Sequence, residues 1–276
     1  MTSRWIAIAA LALSASSAGA LDIVACGQIV PDQEIGVLQT DLDCSGQPDE
    51  AAIRLGKSST LDMNSHAIVA RRIGVDCGYD FGSPGCTVRG HGVGSSGVGD
   101  FSGGDYAITG APRRVFVSDI TIHDVAIHGI SVNQRLDVTN VTVLRAGSSG
   151  VVAIKRLTAD GLVANDNEYF GIDSARIRGT NVTANGNGYS GVSCRHCLLT
   201  GLVANGNGVN GVPVGAGAGV QATRATLLNS TVTGNVVDGV AVDIDTFGRP
   251  HLFSTTCDHS RSRKDTTRSW GVCQLD

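Results

Sequence analysis

Aromatic residues make up only 4% of this 276-residue chain, and methionine occurs twice. So few large rings suit a narrow core built from Val, Ile, Leu and Ala. Apolar residues at i, i+3, i+4 and i+7 do not recur along the chain, which excludes amphipathic helices as its main element. The formal charge is small and negative, −4, and argues against general nucleic-acid binding. Past the first twenty residues no segment is apolar and long enough to cross a bilayer.

Those first twenty residues stand apart. Arg4 supplies a positive start, Trp5 to Leu13 an apolar run too short to span, and Ala18-Gly19-Ala20 a small-residue cleavage site. A signal peptide over 1–20 is expected, with export to the periplasm or the medium. Cleavage would leave 276 − 20 = 256 residues, and losing Arg4 shifts the charge from −4 to −5. All eight cysteines follow this segment, an even number suited to an oxidising compartment. Sequence does not fix connectivity, but proximity favours Cys26–Cys44, Cys77–Cys86, Cys194–Cys197 and Cys257–Cys273. The Cys194-Arg195-His196-Cys197 turn is also open to a redox or zinc half-site reading. No second Cys or His pair stands at metal spacing, so a structural disulfide is preferred.

Glycine is abundant, at 37 residues, and much of it is periodic. From about Arg113 to Asp243 the chain repeats every 20 to 21 residues, anchored on Ile120, Val141, Leu162, Val182 and Leu202. Nine residues after each anchor stands Gly129, Gly150, Gly171, Gly191 or Gly211, followed by Ile130, Val151, Ile172, Val192 or Val212. Each unit holds three short in-out-in segments, such as Ile177-Arg178-Gly179, Val182-Thr183-Ala184 and Val192-Ser193-Cys194. Alternation at period two marks strands with one buried face. A fixed period of this size means stacked units, and three strands per unit make a triangular coil. Each strand then pairs in parallel with its copy one coil away, ~4.8 Å distant. Asn165, Asn185, Asn205 and Asn235 (taking Val232 as its anchor) form one expected ladder at the turns, and Asn167, Asn187 and Asn207 a second. A structural role is expected for both.

This pattern, with the phrase Thr60-Leu61-Asp62-Met63-Asn64-Ser65-His66-Ala67-Ile68, resembles the right-handed parallel β-helix family of pectate-lyase-like secreted proteins. The resemblance covers about Leu61 to Asp243 and implies an all-β, single-stranded right-handed parallel β-helix. An N-terminal cap over 21–56, repeat coils over 57–246 and a disulfide-stapled C-terminal tail or cap over 247–276 are expected. Asp76 to Gly104 reads as a long loop around an irregular coil at Cys86–Arg89, and Val214 to Gln221 as an insertion, because Leu202 and Val232 are 30 residues apart. The fold hosts lyases, hydrolases, epimerases and proteins without catalysis. The Asn-Thr-Asp and Asp-Asp phrases of polygalacturonase-like hydrolases are absent, as is the Asp-Pro-His-Asp phrase of alginate epimerases. The glycine turns lack the aspartates of calcium-binding nonapeptides. No cofactor is expected; Asp243 and Asp245 are a short acidic pair open to calcium, but read first as exposed strand.

Arg114, Arg135, Arg156, Arg176 and His196 stand six residues before successive anchors, at the turn entering the first strand of each coil. Arg113, Lys155 and Arg195 directly precede three of them. A row of guanidinium groups suits carboxylates or phosphates, and a uronate-containing polysaccharide is the expected ligand. The competing reading is a solvated turn that keeps the rod soluble. Two outward ladders are expected on the strands: Phe116, Asp137, Thr158, Arg178, Leu198, and Ser131, Val152, Asp173, Ser193, Pro213. Asp173, Arg176 and Arg178 are candidate catalytic residues, a base with cations to neutralise a uronate carboxylate, set against a plain surface ion pair. His123, Asp124 and His128 resemble a small cluster but occur in one coil only. The sequons at Asn140, Asn181 and Asn229 follow from turn asparagines meeting an outward threonine ladder. The expected function is a secreted monomeric β-helix that binds or processes an acidic polysaccharide, by lyase or glycoside-hydrolase chemistry if it is an enzyme. A non-catalytic structural or adhesion rod of the cell envelope is the alternative.

Overall fold

The computed structural model describes residues 20–48, 50–78, 83–91, 99–208, 217–265, 267 and 269–273. The expected signal segment before Ala20, together with Gly211, Val212 and Pro213, lies outside the described residues. The chain winds as a parallel β-helix, and every face is a ladder of short parallel strands. Among the described residues there is no helix, and so none long and apolar enough to cross a membrane.

Three faces stack rung upon rung. The first begins at Leu21–Ile23 on Ile35–Leu38 and ends with His251–Phe253 on Thr226–Leu228. The second runs from Leu42–Cys44 to Thr256–Cys257, and the third from Gln28–Val30 to Ser260–Ser262. Strands such as Arg114–His123 and Arg135–Leu144 carry the first face round a corner into the second. The corner residues Asp119, Asn140, Gly161, Asn181, Gly201 and Asn229 all have φ between 48° and 67°, a left-handed geometry that Asp, Asn and Gly tolerate best. Inward residues fill a single continuous core, and Ile120, Val141, Leu162, Val182 and Leu202 are fully buried in one column.

Several sequence boundaries move. Leu21 to Leu55, expected as a cap, already stacks in register as coils, and the ladders run on past residue 246. Within 76–104, Cys86–Arg89 forms the expected coil strand, in regular register, and Gly99–Gly103 is a further rung rather than loop. At the C-terminal end Ser269–Cys273 folds back antiparallel on Thr256–Ser262, where Cys257–Cys273 ties it down. All four disulfides join the partners that proximity favoured, and four such bonds fit an oxidising compartment. Cys194–Cys197 closes the corner between the third and first faces with both side chains turned inward.

The anchor of the sixth coil is Ser230, not Val232, because Thr231 pairs with Val203 and so places Ser230 on Leu202. The rise from Asn207 to Asn235 spans 28 residues, against 20 between Asn187 and Asn207. The extra residues fall before the third strand, so Gly219, Val220 and Gln221 take the places expected for Gly211, Val212 and Pro213. Asn235 consequently belongs to the inner ladder with Asn167, Asn187 and Asn207, and Thr233 completes the outer one.

The inner ladder is a buried, one-directional chain. Asn167, Asn187 and Asn207 each donate the side-chain amide to the next rung's oxygen at 2.8–3.0 Å, and Asn235 donates to the last acceptor, Asp243 of its own coil, at 2.9 Å. Each ladder oxygen after the first also takes a backbone N–H from the rung before it. A carboxylate suits the end because only a pure acceptor can also receive the N–H groups of Asp258 and His259, at 2.8 and 2.9 Å. Asp243 and Asp245 are therefore buried and occupied, against the exposed strand expected; Asp245 faces Arg261 and Arg263. The glycine column and the ladder are one device. A Cβ at Gly150, Gly171, Gly191 or Gly219 would lie 2.7–2.9 Å from the amide nitrogen of a ladder asparagine.

Removing one ladder member strands buried donors and acceptors on two neighbouring rungs. Asn187→Ala is expected to cost about 2–4 kcal/mol, measured by urea unfolding. A loss below about 1 kcal/mol would mean that water replaces the amide freely.

Candidate functional site

The basic row is real in register but sits on the strands rather than in the turns before them. Arg114 pairs with Arg135 and Arg135 with Arg156, while Arg176 pairs with His196 and His196 with Arg224. Leu157 pairs with Ile177, which brings the two segments into one column of six on the edge of the first face. Arg224 escaped the sequence reading because the column was counted from Val232; counted six residues back from Ser230, it is visible.

Arg114 is the paired member. Its guanidinium binds Asp137 on the next rung and lies 4.1 Å above the Phe116 ring. Among the described residues, Arg135, Arg156, Arg176 and Arg224 form no ion pair. Arg156, Arg176, His196 and Arg224 are exposed, while Arg114 and Arg135 are half-buried. Arg113, Lys155 and Arg195 extend the edge outward, also exposed.

Two grooves run along this face. One of about 470 Å³ is lined by Arg156, Arg176, Arg178 and His196. The other, about 630 Å³, is lined by Phe116, Asp137, Asp160 and a set of threonines. Both touch Thr158, Arg178 and Leu198, so they join as one trough beside the basic row. The trough has cations along one edge, hydroxyls and two carboxylates across its floor, and exposed Phe116 and Leu198 as apolar contacts. It fits an extended, hydroxyl-rich anion lying along the rod.

The three catalytic candidates divide between faces. Arg176 and Arg178 line the first-face groove, whereas Asp173 opens into a separate groove of about 360 Å³ on the third face. Its neighbours there are Ser193, Arg195 and Arg263, so its nearby cations are not the ones the sequence suggested. Ser193 precedes Gln221 in this outward column, where Pro213 was expected. Burial pushes the Asp173 carboxyl above its ordinary range, against the opposing effects of a Ser193 hydrogen bond and the His128 ring.

His123 and His128 do not share a site. His123 holds Asp124 through Nδ1 at 2.7 Å and Asp100 through Nε2 at 3.2 Å, and Arg145 clamps Asp124 at 2.7 and 2.9 Å. Both ring nitrogens are occupied, so this is a pinned turn rather than a free base. Burial lowers the pKa of His123, but the two carboxylates outweigh it and raise the net value. His128 is driven the other way by burial, and its Nδ1 accepts the Ser149 N–H at 3.2 Å. No protein-family model, curated protein or solved structure matches this chain.

The elevated Asp173 gives a stability signature with a defined sign. Its contribution is full below the ordinary aspartate value near ~3.9 and is lost as pH rises through the higher folded value. Asp173→Asn is expected to melt above the parent at about pH 7, with the advantage vanishing near about pH 3. Melting curves that coincide at both pH values would show that solvent already relieves the carboxylate.

Proposed function

We propose that this chain is a secreted β-helix of the pectate-lyase-like type that binds an acidic polysaccharide along the first face. The observation that carries the reading is the in-register column of Arg114, Arg135, Arg156, Arg176, His196 and Arg224 beside a continuous hydroxyl-lined trough. Cations repeating at ~4.8 Å meet the carboxylates of an extended uronate chain in succession, so affinity accumulates through many weak exposed contacts. Such binding falls steeply with salt. The modest overall charge is compatible, because recognition depends on the local row and not on the total.

The same geometry favours binding over cleavage. Asp173 lies around a corner from Arg176 and Arg178, so these three do not converge on one sugar, and the trough's own carboxylates are already engaged, Asp137 by Arg114 and Asp160 by Thr180 and Asn181. A non-catalytic envelope rod decorated with an acidic glycan is thus the second reading, and it uses the same surface.

Purified protein would be passed over immobilised pectate, alginate and glycosaminoglycan. The Arg135→Glu, Arg156→Glu, Arg176→Glu triple variant is expected to lose at least about tenfold in affinity on the bound glycan, with the parent eluting at moderate salt. Unchanged retention of the triple variant would remove the first face as the binding surface. Unsaturated products absorbing in the ultraviolet would instead establish lyase activity.

A further inference from the structure

The second face is the chemical opposite of the first. Its central outward column reads Thr121, Thr142, Val163, Thr183, Val203, Thr231 and Thr256, in unbroken register over seven rungs. Threonine and valine have the same shape, so a hydroxyl or a methyl occupies one fixed position on every rung. Among the described residues, the hydroxyls of these five threonines have no protein partner. Through five consecutive rungs, 140–144 to 229–233, the three outward columns of this face carry no charge; Asp160, which accepts from the Asn181 amide, and Arg145 and Asp166 stand just outside them. One side of the column is Asn140, Gly161, Asn181, Gly201 and Asn229.

The other side begins at Leu144, which pairs with Asn165, and is held rigid from Asn165 onward. Asn165 and Asn185 each accept the backbone N–H of the asparagine one rung on, both at 2.8 Å, and Asn205 accepts both the N–H and the hydroxyl of Thr233 at 3.0 and 3.1 Å. Side-chain ladders of this kind keep a long sheet from twisting. Outward positions therefore repeat at ~4.8 Å along the rod and about 6.7 Å across each strand.

We propose that this second face is an ice-binding surface. A charged partner has no ion pair to form here, and both grooves of the first face and the Asp173 groove lie elsewhere. What a rigid, uncharged, periodic array of hydroxyls, methyls and amides can match is an uncharged periodic solid of hydrogen-bonding oxygens. Free threonine hydroxyls hold water at rung spacing, close to the spacing of oxygen rows in hexagonal ice. The neighbouring methyl groups offer that water no competing partner, so it retains the hydrogen bonds that join it to the lattice. A charge would orient water around itself and break the pattern, which gives its absence over five rungs a physical meaning. This reading does not depend on the polysaccharide reading, since the two use different faces.

The full chain would be tested for retention in a slowly growing ice hemisphere and for inhibition of ice recrystallisation, with circular dichroism as the fold control. The parent is expected to be enriched in ice at least severalfold over a co-dissolved inert protein. Thr183→Lys, a charge on a central rung, is expected to abolish enrichment, and Arg156→Ser on the first face to leave it unchanged. Should Thr183→Lys fail to fold, Thr142→Lys places the same charge on another rung. Exclusion of the parent from ice overturns the proposal. Equal enrichment of parent and folded Thr→Lys variants, or loss on Arg156→Ser, also overturns it.

Discussion

In-register parallel pairing between successive rungs is the constraint from which the other features follow. Each strand forms its backbone hydrogen bonds with the copy of itself one coil away, so residues at equivalent sequence positions lie in columns. A column multiplies whatever chemistry its residue type carries. Apolar columns become one continuous core, amides become a hydrogen-bonded chain, and arginines become a charged edge. A slip of one residue would exchange the inward and outward sets along the affected strand. The buried Asn167–Asn187–Asn207–Asn235 chain makes such slips costly, because every amide needs its partner on the next rung.

That chain also explains why one end of the ladder is a carboxylate and why the opposing corner is glycine. A one-directional run of amide donors must finish on an acceptor, and Asp243 meets that need while also taking two backbone N–H groups. Because the ladder fills the corner, a side chain at Gly171 or Gly191 has no room. The two strongest repeats in the sequence, glycine and asparagine, are thus two sides of one packing solution.

The faces then diverge because outward positions are free of packing constraint. The first gathers arginine, histidine, aspartate and threonine around a trough, and the second keeps to threonine, valine, asparagine and glycine over five rungs, with Leu144 the one exception. Neighbouring columns on one backbone can in this way present surfaces of unrelated chemistry. Asp173 illustrates the limit: three residues from Arg176 in sequence, it opens into a different groove because a corner intervenes.

The sequence by itself determined the parallel β-helix, the inward columns and most of the basic row, and it favoured the disulfide partners that the fold then fixed. These depend on local alternation and a fixed period, which a linear reading captures. Only the tertiary structure decided the register across the coil where the period lengthens from 20 to 28 residues. Val232 and Ser230 are both plausible anchors as isolated letters, and only strand pairing chooses Ser230, restoring Arg224 to its row and Asn235 to its ladder. The burial of Asp243 and Asp245 and the separation of Asp173 from Arg176 and Arg178 were equally out of reach. Each depends on which way the chain turns at a corner and on what the next rung places against it, and neither is written in spacing alone.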